Sequence, residues 1–280
     1  MKKRIVTIAL VAALLATCFA GTYAYLMADD AAKHTMTVGN VAIEQIELQR
    51  ADGVDYKNGG EKADEGDLVA FEQNQKLFPS TYTTLSDYTA KGPNDEQFWW
   101  GDYVTADVTG DGSSNGLWDD KLTGAIDKFV FVQNTGSWDC YYRTIIAFEC
   151  PVGTEYSEGY NKEFMMNVNL NSRFAWEEIG YITINNTRYL VMVATYQQPL
   201  KAGEISRPSL LQVVMTHNAT NDTVLAIGDS YDILTLSQAA QTEGFDSAEH
   251  ALNTAFGELN DTNVIKWLTP VAQAQAGPVA

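Results

Sequence analysis

The sequence predicts a mainly β protein, a jelly-roll-like β-sandwich with a long loop excursion and a short C-terminal helical pair. Short runs of β-branched and aromatic residues recur along the chain, and residues that favour turns separate them. Short strands punctuated by turns are typical of sandwiches and jelly rolls. Hydrophobic residues make up 45% and aromatic residues 11% of the 280 residues, so the chain can form a substantial core.

The strands are predicted from composition and alternation. In residues 36–48 the alternation places Val41, Ile43 and Gln45 on one side of a strand. Paired asparagines at Asn185 and Asn186 favour a two-residue hairpin turn, because asparagine tolerates positive φ angles. The other predicted strands are residues 126–132, 140–148, 164–170, 181–184, 187–196 and 210–216. Residues 134–136, NTG, supply turn chemistry between the first two of these.

Two regions depart from the strand pattern. Residues 87–120 are polar and rich in glycine and aromatic residues, and we predict a long loop excursion there. Residues 231–259 show helical spacing and predict two helices. The first would carry Ile233, Leu236, Ala239 and Ala240 and end near Gly244. The second would begin at Asp246 or Ser247 and carry Ala248, Ala251, Leu252, Ala255 and Phe256 on one face. A disordered tail is predicted for residues 270–280, so the domain would span residues 25–269.

The amino terminus has the three parts of a secretory signal peptide. A basic patch, residues 2–4, precedes an apolar stretch, residues 5–20, and small residues follow at 21–24. We therefore expect removal of residues 1–24 by cleavage between Ala24 and Tyr25, and export of the mature chain. A retained membrane anchor is the alternative, since about 20 apolar residues suffice to span a bilayer. A lipidated Cys18 is a further alternative, although Thr17 is a poor residue before such a cysteine.

The charge of the chain excludes some partners. It carries 36 acidic against 18 basic residues, a formal net charge of −18. Loss of the basic signal segment makes the mature chain more acidic still. Nucleic acids and anionic lipids are bound mainly through Lys and Arg, so we expect neither as a partner.

Two cysteines remain after cleavage, Cys140 and Cys150. The residues between them predict one continuous strand about 33 Å long. A disulfide needs Cα atoms within about 7 Å. We therefore predict that these cysteines do not pair with each other. They are either buried thiols or form a disulfide with another chain.

Several motifs resemble the TasA and camelysin family. Residues 21–26, GTYAYL, followed by residues 35–41, TMTVGNV, are similar to the signal region that the SipW type of signal peptidase processes. Residues 128–143, KFVFVQNTGSWDCYYR, resemble the strand–NTG–strand hairpin of the family. Residues 209–214, SLLQVV, and the predicted helix at residues 239–241 add to the likeness, whereas residues 52–120 match nothing in it.

The resemblance implies a secreted, non-enzymatic matrix protein. Its expected partners are a signal peptidase of the SipW type, further copies of itself in filaments, and other matrix proteins or polysaccharide. In such fibres the segment freed by cleavage, here residues 25–48, supplies a strand to the next subunit. An unpaired sheet edge provides the template for this addition, and head-to-tail addition yields filaments.

The sequence gives little support to an enzymatic function. The camelysin relatives suggest a metalloprotease, yet the only histidines are His34, His217 and His250, and H-E-x-x-H does not occur. The G-x-S-x-G motif of serine hydrolases is also missing from the sequence. The acidic pairs at residues 119–120 and 177–178 are expected in so acidic a chain, and neighbours on a strand face opposite sides.

One segment resembles a calcium-binding loop. Oxygen-bearing side chains stand at alternate positions of residues 107–115, with glycine at the sixth position, as in an EF-hand loop. The candidate ligands are Asp107, Thr109, Asp111, Ser113 and Asn115. Trp118 occupies the twelfth position, where a bidentate glutamate is needed. A polar turn is the simpler interpretation, and structural calcium is the alternative; no other cofactor is expected.

Clustered tryptophans give the alternative function. Trp99, Trp100 and Trp118 lie close in sequence, with Trp138 further on. Exposed aromatic rings can stack on sugars, so a glycan-binding or adhesive surface protein is the competing hypothesis. Core or subunit-interface packing explains the same residues.

Overall fold

The computed structural model describes residues 35–38, 41–50, 68–72, 85–86, 89–91, 97–99, 117–118, 126–151, 164–169, 172–215, 219–227 and 231–275. This part of the chain contains fifteen strands and three helices. The strands are β1 Thr35–Val38, β2 Ile43–Arg50, β3 Leu68–Ala70, β4 Leu85–Ser86, β5 Thr89–Lys91, β6 Gln97–Trp99, β7 Leu117–Trp118, β8 Ile126–Asp127, β9 Phe129–Asn134, β10 Cys140–Glu149, β11 Phe164–Val168, β12 Phe174–Ile184, β13 Thr187–Leu200, β14 Leu210–Met215 and β15 Ile233–Gln241. The helices are α1 Asn221–Ile227, α2 Ala248–Phe256 and α3 Val264–Gln275.

A five-stranded sheet forms the middle of the molecule, in the order β1-β15-β10-β13-β12. All its pairs are antiparallel except β1 with β15, which run parallel. The sequence of β10, CYYRTIIAFE, is rich in β-branched and aromatic residues and is buried along its length up to Phe148. Burial on both faces is why this strand reads as a continuous apolar run rather than an alternating one.

A second layer of strands covers one face of this sheet. It consists of two three-stranded sheets, β3-β2-β9 and β11-β14-β8. Backbone hydrogen bonds join them edge to edge: Ser209 N donates to Val130 O at 2.9 Å, and Ser206 N donates to Val132 O at 2.8 Å. Val132 of this layer packs against Tyr142 and Ala194 of the five-stranded sheet. The mainly β sandwich predicted from the sequence is thereby confirmed.

Two helices cover the opposite face of the five-stranded sheet. Leu268 and Val271 of α3 pack against Ile145 and Val191, and Leu252 of α2 packs in a cluster with Tyr141. Alternate residues of a strand face opposite sides, so odd-numbered residues of β10 face the helices and even-numbered ones face the second layer. The described part of the chain contains no helix with the length and apolar character that a membrane span requires.

Several local predictions are confirmed. Asn185 and Asn186 form the turn between β12 and β13, with φ angles of 49° and 70°. The helix predicted from residue 248 onward is α2, and Ser247 is its N-cap, accepting a hydrogen bond from His250 N at 3.2 Å. Within the predicted excursion, β5 pairs with β6, and β7 pairs with β4 just before it.

The predicted first helix is wrong, because residues 233–241 form strand β15. The spacing of Ile233, Leu236, Ala239 and Ala240 fits a helix. In the structure the side chains alternate between the two faces of a strand. Leu234 and Leu236 face the helices, whereas Thr235 and Ser237 bond to the second layer. Long-range pairing with β10 on one side and β1 on the other outweighs the helical preference of alanine and glutamine.

The NTG segment does not close a hairpin, contrary to the prediction. Strands β9 and β10 lie in different layers, and the segment carries the chain from one to the other. Asn134 is fully buried, and its Nδ2 donates to Trp138 O at 2.8 Å and Leu200 O at 2.9 Å. Thr135 N and Gly136 N both donate to Ala42 O, at 2.9 and 3.0 Å. These bonds to another segment replace those of a hairpin.

The predicted disordered tail is wrong for residues 270–275, which belong to α3, and Pro270 lies inside that helix. Proline within a helix costs about 3 kcal/mol. The burial of Val264, Leu268 and Val271 against the sheet offsets that cost. The C-terminal helical pair is therefore α2 and α3, and residues 276–280 lie outside the described part.

Candidate assembly site

The edge of the five-stranded sheet is formed by β1, the strand closest to the predicted cleavage site. Its four residues align with β15 in the order Thr35 with Ser237, Met36 with Gln238, Thr37 with Ala239 and Val38 with Ala240. On its other side β15 aligns nine residues with β10. Parallel pairing over so few residues makes β1 the most weakly paired strand of this sheet.

The chain after β1 crosses into the second layer and becomes firmly buried. Val41 is 3% exposed and Ile43 is 6% exposed, and both pack in the core between the layers. Gln45 is fully buried. The alternation predicted for Val41, Ile43 and Gln45 is thus confirmed. The amino-terminal segment therefore consists of an edge strand that precedes residue 39 and an anchored strand that follows residue 41.

Polar side chains anchor β2 to the middle of the sandwich. Gln45 Nε2 donates to Thr235 Oγ1 at 2.9 Å, and Ser237 Oγ donates to Gln45 Oε1 at 2.7 Å. Ser237 Oγ also lies 3.0 Å from Thr144 Oγ1. These bonds link β2 of one layer with β15 and β10 of the other, so they fix the register between the layers. We refer to Gln45, Glu47, Thr144, Thr235 and Ser237 as the interlayer network.

A buried ion pair extends this network. Lys128 Nζ bonds to Glu47 Oε2, and both side chains are at most 5% exposed. Glu47 also accepts hydrogen bonds from Gln45 and Thr235. The Lys128 ammonium lies 4.0 Å from the centre of the Phe71 ring, a cation–π contact. The pair fixes β2 against the start of β9.

The opposite edge of the five-stranded sheet, β12, is built differently. Glu177 and Glu178 are exposed there. The register with β13 shifts between Glu178 and Gly180, a bulge at which Gly180 takes a φ of 112°. Charges and bulges on an edge strand discourage the addition of another strand. The two edges of this sheet thus differ: one is protected by charge and bulge, and the other is covered by a short amino-terminal strand.

Most of the residues predicted as sites lie outside the described part of the chain. These are the cleavage residues Ala24 and Tyr25, the calcium candidates Asp107, Thr109, Asp111, Ser113 and Asn115, and Trp100. Trp99 ends β6 and aligns with Thr89, and Trp118 lies in β7 and aligns with Leu85.

Cys140 begins β10 and Cys150 directly follows its last residue; both are buried, and they do not pair with each other, as predicted. Burial, with a smaller contribution from the charge of Asp139, raises the pKa of the Cys140 thiol to about 12. A thiol with so high a pKa is a poor nucleophile at neutral pH.

Among the described residues no three His, Cys, Asp or Glu side chains are grouped closely enough to hold a metal. His250 is exposed on α2, with its ring centre 5.3 Å from that of Phe245. His34 and His217 lie outside the described part.

Sequence reasoning missed the interlayer network and a buried arginine, Arg143. The sequence did carry a signal for each: Gln45 stands among apolar residues of an alternating strand, and Arg143 interrupts the apolar run of β10.

No protein-family model matches the chain, and neither curated proteins nor solved structures give a significant match.

Proposed function

We propose that the chain is a secreted structural subunit of an extracellular or biofilm matrix. After removal of residues 1–24, it forms fibres by adding its amino-terminal strand to the next copy. The observation that carries the proposal is the position of β1, a four-residue parallel strand at the edge of β15.

The geometry supports exchange between copies. In one chain, β1 covers the edge of β15; withdrawn from it, that edge presents unpaired N–H and C=O groups. The same four residues of a second copy can make the same backbone bonds, since these do not depend on which chain supplies them. The protected β12 edge disfavours competing addition there. A donor at one end and an acceptor on a different surface give a head-to-tail, open assembly.

The anchored strand β2 sets how much of the chain is exchanged. Burial of Val41, Ile43 and Gln45 and the interlayer network hold β2 in its own subunit. We therefore limit the donated segment to residues 25–39, shorter than the residues 25–48 expected from the resemblance. While the signal segment tethers this part to the membrane, donation is prevented.

Electron microscopy of the mature chain tests the proposal. Residues 25–280 are purified as a monomer and imaged by negative stain over time, with and without calcium. We expect filaments. A variant that begins at residue 40 lacks β1 and should remain monomeric, whereas a matched variant that begins at residue 34 retains β1 and should still assemble. Circular dichroism melts show whether each variant is folded. Filaments formed equally well without residues 25–39 would contradict strand donation.

One observation favours the glycan-binding alternative. The side chain of Trp138 is 50% exposed, although its backbone carbonyl is fixed by Asn134. An exposed indole on a fixed backbone can stack on a sugar ring. Trp138→Ala should leave filament formation unchanged under both hypotheses. Loss of polysaccharide co-sedimentation in that variant would support a glycan-binding role.

A further inference from the structure

A polar cavity of about 140 Å³ opens between the five-stranded sheet and α2. Strands β10, β12 and β13 form one wall, and α2 with the segment that follows it forms the other. Its polar lining comes from Arg143, Glu177, Thr195, Glu249, Asn253 and Glu258. A cavity of about 150 Å³ accommodates benzene, so this one has room for a ligand of about six non-hydrogen atoms.

Arg143 forms the inner end of this cavity and is 4% exposed. Its Nε donates to Gln238 Oε1 at 2.8 Å, Nη1 to Asn253 Oδ1 at 2.9 Å and Nη2 to Gly257 O at 3.1 Å. All three acceptors are neutral. In the part of the chain that the structure describes, no carboxylate lies within 4.0 Å of the guanidinium.

A buried cation with only neutral partners is costly. Burial lowers the pKa of Arg143 to about 10, against the opposing effect of the Glu177 charge. At neutral pH the guanidinium is therefore still charged. An anionic group in the cavity would supply the missing counter-charge, and the three hydrogen bonds leave two of the five arginine N–H donors for it.

The mouth of the cavity has the opposite charge. Glu177 of β12, Glu249 of α2 and Glu258 are all exposed. A simple anion would meet three carboxylates on entry, and a simple cation would meet Arg143 at the inner end. A molecule with an anionic and a cationic end a few ångströms apart matches both.

We propose that this cavity binds a small zwitterion of the α-amino-acid type, such as glycine or alanine. The ligand carboxylate lies against Arg143 and its ammonium group against Glu177, Glu249 and Glu258. Thr195 and Asn253 supply neutral hydrogen-bonding groups along the wall. The site is separate from the β1 edge, and the inference does not depend on the proposed function.

Arg143 also has a structural role that shapes the test. The carbonyl of Gly257, the C-cap of α2, accepts a hydrogen bond from its guanidinium, so Arg143 holds the end of that helix. Its replacement would change folding as well as binding. The glutamates at the mouth are exposed and can be changed without this effect.

Isothermal titration calorimetry of the mature protein, residues 25–280, tests the proposal with alanine as the probe. Alaninamide lacks the carboxylate and N-acetylalanine lacks the ammonium group. We expect saturable binding of alanine and at least about tenfold weaker binding of each analogue. Glu177→Gln with Glu249→Gln should weaken alanine binding by a similar factor. Glu178→Gln, the neighbouring residue on β12 that aligns with Met192, should leave it unchanged.

Three results would overturn the inference. One is the absence of binding heat for glycine and alanine at millimolar concentration in a protein that melts cooperatively. Another is equal binding of alanine and alaninamide, since the carboxylate would then contribute nothing. The third is unchanged alanine binding in the Glu177→Gln/Glu249→Gln variant.

Discussion

Ser237 Oγ donates a hydrogen bond of 2.7 Å to Gln45 Oε1 across the two layers of the sandwich, and both side chains are fully buried. Gln45 lies on β2 and Ser237 on β15, the strand that pairs with β1. The bond therefore connects β2, the anchored strand of the amino-terminal segment, to β15. The preceding strand, β1, covers the edge of β15. This arrangement underlies the proposal that β1 is exchanged between copies while β2 stays in its own subunit.

Replacing Gln45 tests how firmly β2 is held. Gln45→Ala removes hydrogen bonds to Thr235 and Ser237 and leaves their hydroxyls in the core. We expect a loss of about 2–4 kcal/mol in the free energy of unfolding. Urea denaturation measures it. Gln197→Ala is the matched control, since the side chain of Gln197 is exposed and donates to Thr195 O at 3.2 Å, and it should change stability by less than about 0.5 kcal/mol. Equal effects in the two variants would show that the network contributes nothing.

The buried pair of Lys128 and Glu47 should couple strongly. Lys128→Met leaves the Glu47 carboxylate buried without its cation, at a cost of about 3–5 kcal/mol. Adding Glu47→Gln removes the charge and keeps an oxygen that can accept from Thr235. We therefore expect the double variant to be more stable than Lys128→Met alone. A double-mutant cycle from urea denaturation measures the coupling, and strictly additive effects would contradict it.

Glu149 predicts a pH dependence of stability. Burial, with the charge of Asp232, raises the pKa of this carboxyl to about 7, although its oxygen accepts a hydrogen bond from Asp232 N at 2.8 Å. The folded state therefore binds the proton more tightly than the unfolded chain, whose carboxyl titrates near its ordinary value of 4.5. This contribution to stability is full below about pH 4.5 and is lost as the pH rises to about 7.

Glu149→Gln keeps an acceptor for Asp232 N and cannot titrate. The variant should lose the part of the pH dependence between pH 4.5 and 7 and should be more stable than the parent at pH 8. Since Glu149 is half-buried, solvent screening limits the gain to the order of 1 kcal/mol. Thermal melts from pH 4 to pH 8 measure it. Glu178→Gln, an exposed control, should leave the pH profile as it is, and an identical profile for Glu149→Gln would refute the assignment.

The turn at Asn185 and Asn186 offers a stabilising change. Both residues have positive φ angles and both are exposed. Asn186→Gly should raise the free energy of unfolding by about 0.5 kcal/mol, because glycine adopts this conformation without steric cost. Asn186→Val should lower it by about 1 kcal/mol, since β-branched residues resist positive φ. Urea denaturation measures the free energy of unfolding of both variants. A valine variant more stable than the parent would contradict the turn geometry.

The sequence predicted the fold class and several individual elements for identifiable physical reasons. Alternation placed Val41, Ile43 and Gln45 on one buried side, and the turn preference of Asn185 and Asn186 defined a hairpin. Asp246 or Ser247 was predicted to begin the helix that is α2, and Ser247 is its N-cap. Each of these signals lies within a few residues of the element that it defines, so local chemistry was enough.

The errors arose where distant parts of the chain decide the structure. Residues 233–241 form a strand because β10 and β1 pair with them, although their spacing fits a helix. The NTG segment crosses between layers because Ala42 O accepts its N–H groups. The cavity at Arg143 brings together β10, β12 and α2, which no local pattern connects.

Disulfide trapping of β1 on β15 tests whether β1 is exchanged between copies. Thr37 and Ala239 align in the register of the two strands. They are replaced by cysteine in a mature chain, residues 25–280, that also carries Cys140→Ala and Cys150→Ala. If β1 is donated between copies, oxidised filaments should give disulfide-linked ladders on denaturing gels. Monomers oxidised before assembly should be locked within one chain and should not polymerise until reduced. Filaments that contain only disulfides within single chains would contradict strand exchange.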